Sequence, residues 1–110
     1  MGELNDILDK IRQFRDDRDW NQFHTPKDLA ICLSVEAAEL LEMFLWKNEN
    51  EVNVNKLSGE LVDVLYSAFL LADHYDLDVA EIIGGKLQEN AERYPIPYSK
   101  GSNKKYGELD

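Results

Sequence analysis

The sequence predicts an all-α fold, with four main helices in an antiparallel bundle joined by short connections. Three observations predict it. Apolar residues recur at spacings of three and four along most of the chain, and no strand-like alternation stands out. Two stretches, residues 29–46 and 56–72, are apolar on nearly every side at helical pitch, which marks helices that are buried rather than laid on a surface. Helix-start patterns and Pro residues punctuate the periodic runs at plausible lengths.

Residues 3–18 place Leu4, Ile7, Leu8, Ile11 and Phe14 on one stripe, so they form an amphipathic helix whose charges read as a solvated face. Residues 19–24, DWNQFH, read as a short aromatic loop. Thr25, Pro26 and Asp28 then open the central helix: Thr25 caps, Pro26 suits the first turn, and Asp28 falls at the acid position of a capping box. That helix is expected to end near Trp46 and Lys47, followed by the Asn-rich loop 48–55. The third helix begins between 55 and 58 and runs to about His74, with Gly59 a weak point in its first turn. Tyr75, Asp76 and Leu77 form a turn. Asp78 and Glu81 make a second capping box, opening a helix through about Arg93 in which Gly84 and Gly85 mark close packing or a kink. Pro95 and Pro97 stop it. The whole of 1–110 reads as a single domain, with a helical bundle over 1–93 and an irregular basic tail over 94–110.

The charged residues narrow the function. A net charge of -10 argues against nucleic acid and an anionic membrane surface as partners, because both are bound through Lys and Arg. It leaves room for a small phosphorylated ligand bridged by metal. Cys32 is the lone cysteine and reads as a small core residue. No signal peptide or membrane span is visible, so the expected location is cytoplasmic. Two all-round apolar helices are more than 110 residues can wrap, so a homo-oligomer is expected.

Four acids stand out within those apolar helices. Glu36 and Glu39 are three residues apart, as are Glu60 and Asp63, so each pair leaves one helix face. Buried carboxylates need positive partners. Carboxylate oxygens suit a hard cation, Mg²⁺ with Mn²⁺ as substitute. Iron would call for Glu-x-x-His pairs, and neither His24 nor His74 sits at that spacing. The alternative is inter-helix ion pairing with Lys or Arg, but these helices carry almost no bases beyond Lys56. Glu42, farther around the helix, reads as structural or as a support for the ligands.

The bases gather late. Lys86, Asn90 and Arg93 follow at one-turn intervals, and Arg93, Lys100, Lys104 and Lys105 fall in a stretch with no acid. Such donors beside a metal suit a polyphosphate, or else they form a solvated basic tail. Gly101-Ser102 is a weak candidate for a phosphate cradle. Trp20, Phe23 and Trp46 offer either core packing or a base-stacking slot, and His24 either hydrogen-bonds a base or phosphate or is polar surface.

The pattern Glu36-x-x-Glu39, twenty residues, Glu60-x-x-Asp63 resembles the metal motif of the MazG-like, all-α nucleoside triphosphate pyrophosphohydrolases, above all their dCTP pyrophosphatase branch. RDWNQFHTPKDL (18–29), FLWK (44–47), KLQENAERYP (86–95) and SKGSNKKY (99–106) extend the likeness over most of the chain. The resemblance implies Mg²⁺-dependent cleavage between the α and β phosphates of a nucleotide such as dCTP, in nucleotide-pool house-cleaning. It implies that Glu36, Glu39, Glu60 and Asp63 are metal ligands. It places Lys86, Asn90, Arg93 and Tyr94 on phosphate or sugar, and Trp20 and Trp46 at the base. It implies dimers or dimers of dimers. Two positions depart from that branch: Ile11 stands where a His can occur, and Tyr66 lies one place before the Tyr of relatives, where Ser67 now sits. Glu36 or Glu39 would orient or deprotonate the attacking water. The alternatives are another substrate, dUTP or phosphoribosyl-ATP, or a non-catalytic helical interaction module.

Overall fold

In a computed structural model, which describes residues 2–104, the chain is helical with no strand among the described residues. It divides into two compact units, one through Leu77 and the other from Asp78 onward.

The first unit holds three long helices: α1 (Glu3–Asp17), α2 (Pro26–Glu42) and α3 (Val54–His74). Leu8 is the buried member of the α1 stripe. The aromatic loop after it is a 3-10 turn, Trp20–Phe23, entered through Asp19 at φ 54. Phe14 meets Trp20 edge-on at 5.8 Å, which ties this turn to α1, and the Arg18 guanidinium lies 3.7 Å from the centre of the Phe14 ring, a cation–π contact. The start of α2 is as its sequence dictates: Thr25 Oγ1 accepts from the Asp28 N–H at 3.1 Å, with Pro26 in the first turn. Its end is not. The helix stops at Glu42, residues 43–46 continue as turns, and Trp46 takes the left-handed φ of 62 that usually falls to Gly. Asn53 caps α3 by accepting from the Lys56 N–H, which moves its start to Val54. At its other end the Asp76 N–H donates to the Asp73 carbonyl and the Leu77 N–H to that of Ala72, with Asp76 left-handed, so a Schellman turn closes the helix.

Helix α2 packs along α3. Glu36 lies beside Glu60 and Asp63, while Leu29 and Leu70 line one cavity, so the two helices run antiparallel. Helix α1 runs parallel to α3: Ile7 and Val62 share a cavity, Phe14 meets Tyr66 edge-on, and Arg15 reaches Asp73. Leu8, Leu29 and Leu70 form the buried apolar centre, with Ser67 the one buried polar residue beside it among the described residues.

Ile31, Val35 and Leu41 of α2 and Leu61, Val62 and Leu65 of α3 are exposed, so the single chain wraps its apolar helices only in part, in line with the sequence. One expectation is corrected: Cys32 is exposed, not a core residue. The physical reason is the small number of helices: an apolar-all-round helix with one or two neighbours keeps an uncovered side. The α1 charges are also more than a solvated face. Arg12 and Arg15 both donate to Asp73 of α3, pinning α1 to the end of that helix.

In the second unit Asp78 caps α4 (Val79–Arg93) by accepting from the Glu81 N–H at 3.1 Å. The helix runs unbroken through Gly84 and Gly85, and a Cβ at either would meet nothing within 4 Å. Neither the kink nor the close packing expected there is present among the described residues. The tail is not wholly irregular: Ile96–Ser99 forms one turn, α5, with Pro97 in its first turn, where a missing N–H is harmless.

Candidate metal centre

The antiparallel pairing of α2 and α3 sets Glu36 level with Glu60 and Asp63, and one carboxylate oxygen from each lies within 4.8 Å of the other two. Glu60 and Asp63 share a face because three residues separate them on α3. Glu36 Oε2 and Glu60 Oε2 are both buried with no hydrogen-bond partner. Glu39, one turn on from Glu36, is exposed and lies outside that trio, yet bears on it. The Glu36 pKa is raised, first by burial, then by the closeness of the Glu39 carboxylate, then by the charges of Asp63 and Glu60.

Ion pairing does not offset this charge. Among the described residues the ion pairs join Arg12 and Arg15 to Asp9, Asp16 and Asp73, and Lys86 and Arg93 to Glu89. The four acids take part in none of them, so the ion-pair alternative is not realised there. Crowded carboxylates with orphaned oxygens are a donor set for a divalent cation. Oxygen ligands at about 2.1–2.4 Å from an ion lie about 3–5 Å apart, which is the spacing of this trio. The residues present therefore fit such an ion.

Asp63 also borders a cavity of about 470 Å³ lined by Ile7, Lys10, Ile11, Phe14, Trp20, Val62 and Tyr66. The walls are mainly apolar. Phe14 is edge-on to Trp20 at 5.8 Å and to Tyr66 at 6.2 Å, which fixes both rings. The Tyr66 hydroxyl is buried without a partner. Of the aromatic candidates, Trp20 thus sits beside the acids. Trp46 lines neither this cavity nor the smaller one near His24, and is fully exposed. That smaller cavity, of about 210 Å³, is lined by His24 with Arg15, Asn21, Asp73 and His74, and the His24 Nδ1 is buried without a partner.

The remaining candidates belong to the second unit. Arg93 pairs with Glu89 at 2.9 Å and Lys86 with Glu89 at 3.7 Å. Asn90 and Tyr94 are half-buried, and Lys100 is exposed just after α5. Lys105 lies outside the described residues. Sequence reasoning missed Ile7, Lys10, Phe14 and Val62 as cavity residues, whereas Ile11 and Tyr66, the two departures from the family pattern, do line it. The α1 stripe has the same period whether it faces a core or a pocket, so periodicity could not separate the two.

A family model described as the MazG-like family matches residues 31–109, which contain all four acids. The chain belongs to the MazG-like family. Among its MazG-like relatives, dCTP pyrophosphatase 1 of Mus musculus is 36% identical, covering 96% of this chain and 67% of the mouse protein. The Homo sapiens protein of the same name is 35% identical over the same shares. A crystal structure of a pyrophosphatase from Archaeoglobus fulgidus superposes with a TM-score of 0.79 at 36% identity, covering 86% of this chain and 94% of that one.

Proposed function

We propose that this protein hydrolyses dCTP or a closely related deoxynucleoside triphosphate between the α and β phosphates, releasing the monophosphate and pyrophosphate, with Mg²⁺ as cofactor and Mn²⁺ as a substitute. That it is a nucleoside triphosphate pyrophosphatase follows from its family and its relatives. The observation that carries the finer reading is the trio of Glu36, Glu60 and Asp63, with two buried oxygens left unpartnered.

Glu36, Glu60 and Asp63 would hold the cation, with Glu39 completing the set from the next turn. When bound, the ion supplies charge neutralisation on the phosphates and lowers the pKa of a bound water. The chain's own part is proton handling and positioning. Glu36, with its raised pKa, and Glu39, one turn on, are placed to orient a water and take its proton. The aromatic cavity beside Asp63 takes the base, with Trp20 as a stacking wall. The family pattern assigns Trp46, Lys86, Asn90, Arg93 and Tyr94 to substrate, and donor chemistry adds His24, Lys100 and Lys105. The exposed apolar faces of α2 and α3 support assembly as a homodimer or homotetramer.

A panel of nucleoside triphosphates assayed for pyrophosphate release, with Mg²⁺ and with excess chelator, tests this. Release should be greatest with dCTP or a near relative and vanish with chelator. Glu39→Gln and Asp63→Asn should keep the helical circular dichroism and lose turnover by about 10²-fold or more. Near-normal turnover in both would remove these acids from the reaction.

A further inference from the structure

We propose that Asp73 is a positioning residue for the reaction: by taking Arg12 and Arg15 of α1 on its two oxygens, it sets the spacing of α1 from α3, and with it the width of the cavity beside Asp63. The inference rests on the proposed seating of the nucleotide's base in that cavity. None of Arg12, Arg15 and Asp73 belongs to the acid motif or to the aromatic and basic stretches that mark the family in this sequence.

The cavity lies between two helices. Ile7, Ile11 and Phe14 of α1 form one wall, Val62, Asp63 and Tyr66 of α3 the other, and Trp20 joins from the turn after α1. About 470 Å³ of space separates the walls, so side-chain packing across it cannot fix how far apart they stand. Elsewhere α1 is held lightly: Leu8 is its one buried residue, and Ile7 and Phe14 are exposed. The Asp73 bracket supplies what packing does not. Arg12 Nε donates to one carboxylate oxygen and Arg15 Nη1 to the other at 3.0 Å. The two arginines are three residues apart on one face of α1, so this two-point hold resists both sliding and rolling of the helix. Asp9 and Asp16 steady the guanidinium groups from the α1 side, at 2.7 and 2.8 Å. The Arg15 side chain is 11% exposed and that of Asp73 23%, so solvent screens the bracket less than it would a surface pair.

Phe14 connects the bracket to the cavity. It lies between Arg12 and Arg15 in sequence, and its ring meets Tyr66 edge-on at 6.2 Å and Trp20 at 5.8 Å. A shift of α1 therefore moves Phe14, and with it Trp20, the proposed stacking wall. It leaves the acids where they are, because Glu36, Glu60 and Asp63 are brought together by α2 and α3 alone. Loss of the bracket thus weakens binding of the base and spares the metal and the phosphates. Weaker binding of that kind raises KM at constant kcat, whereas partial unfolding removes active enzyme and so lowers the apparent kcat at constant KM.

Wild type, Asp73→Asn, the pair Arg12→Gln with Arg15→Gln, and the triple variant are assayed for pyrophosphate release from the best substrate of the nucleotide panel, at a temperature where circular dichroism shows each folded. Asp73→Asn should raise KM by about 5- to 20-fold and leave kcat within about 2-fold. The arginine pair should give the same rise and the triple variant no more, since the three groups act as one unit. Inhibition by pyrophosphate, which has no base, and binding of Mn²⁺ should match wild type. A wild-type KM in Asp73→Asn overturns the proposal. So does a loss confined to kcat, a triple variant whose effects add, or pyrophosphate inhibition weakened as much as substrate binding. Arg12→Gln, which leaves Arg15 on Asp73, serves if Asp73→Asn does not fold: KM should rise by about 2- to 5-fold, and an unchanged value overturns the proposal. Wild type that releases pyrophosphate from no nucleotide of the panel overturns the assigned reaction and this inference with it.

Discussion

Asp73 shows how a single residue's charge is set by its surroundings. Burial opposes its ionisation, but hydrogen bonds from Arg12 and then Arg15 outweigh burial and hold its pKa below the ordinary 3.8. A carboxylate depressed on folding adds stability that is fully present above the unfolded value and is lost as pH falls through the folded one. Asp73→Asn should therefore lower stability near neutral pH by about 1–3 kcal/mol, since it leaves two guanidinium groups short of a partner. The gap between variant and wild-type urea midpoints should shrink as pH falls below 3.8. A gap that stays constant down to strong acid would show that the carboxylate charge is not what joins α1 to α3. Glu36 is the opposite case, its pKa raised by burial and by three neighbouring acids with no ion pair to relieve it. At this scale the sequence made the acids legible, because carboxylates paired at i,i+3 within apolar helices are costly unless something positive meets them. Phe14 and Arg15 were not legible, because nothing local distinguishes a pocket phenylalanine or a bridging arginine from an ordinary one.

The helices were legible where a cap marks them. Thr25 and Asp78 each accept from a backbone N–H three residues on, and α2 and α4 begin there, whereas the Asn53 cap lies within an Asn-rich run where no single Asn stands out, and α3 starts at Val54, before the expected 55–58. Ends without such a mark were harder. Apolar periodicity continues to Trp46, but the helix stops at Glu42 because residues 43–46 close into turns and Trp46 goes left-handed. Likewise Pro97 reads as a stop, yet it sits in the first turn of α5, where proline is welcome. Gly84 and Gly85 give the element-scale prediction. Both lie inside a continuous helix with open space around the missing Cβ. Gly84→Ala and Gly85→Ala should each raise stability by about 0.5–1 kcal/mol, read as a higher urea midpoint. A lower midpoint in either would show that the glycine meets a surface outside the chain, such as a second copy.

The single chain leaves apolar helix surface uncovered, as two all-round apolar helices in so short a chain imply. Ile31, Val35 and Leu41 on α2, Leu61 and Leu65 on α3, and Ile82, Ile83 and Leu87 on α4 are all exposed in the single chain. Scattered apolar residues are ordinary, but runs at i, i+4 on consecutive helices favour burial against another copy. Light scattering at micromolar concentration should give a dimer or tetramer, and a monomer would contradict this. No helix among the described residues is long and apolar enough to cross a membrane. The sequence made the helix class and the acid motif plain, since both are periodic and local. It could not show that three of the acids converge while Glu39 stands a turn away, or that an aromatic cavity borders Asp63. Those follow from the register of α2 and α1 on α3, which depends on packing across the unit.

The claim on which the rest depends is that these acids hold a divalent cation. Mn²⁺ titrated into the metal-free protein and followed by electron paramagnetic resonance of the free ion tests it without reference to turnover. Wild type should deplete the free-ion signal in a saturable way, with added Mg²⁺ restoring it, and Glu36→Gln combined with Glu60→Gln should abolish the depletion. Equal depletion by wild type and that variant, or none by wild type, would contradict the assignment.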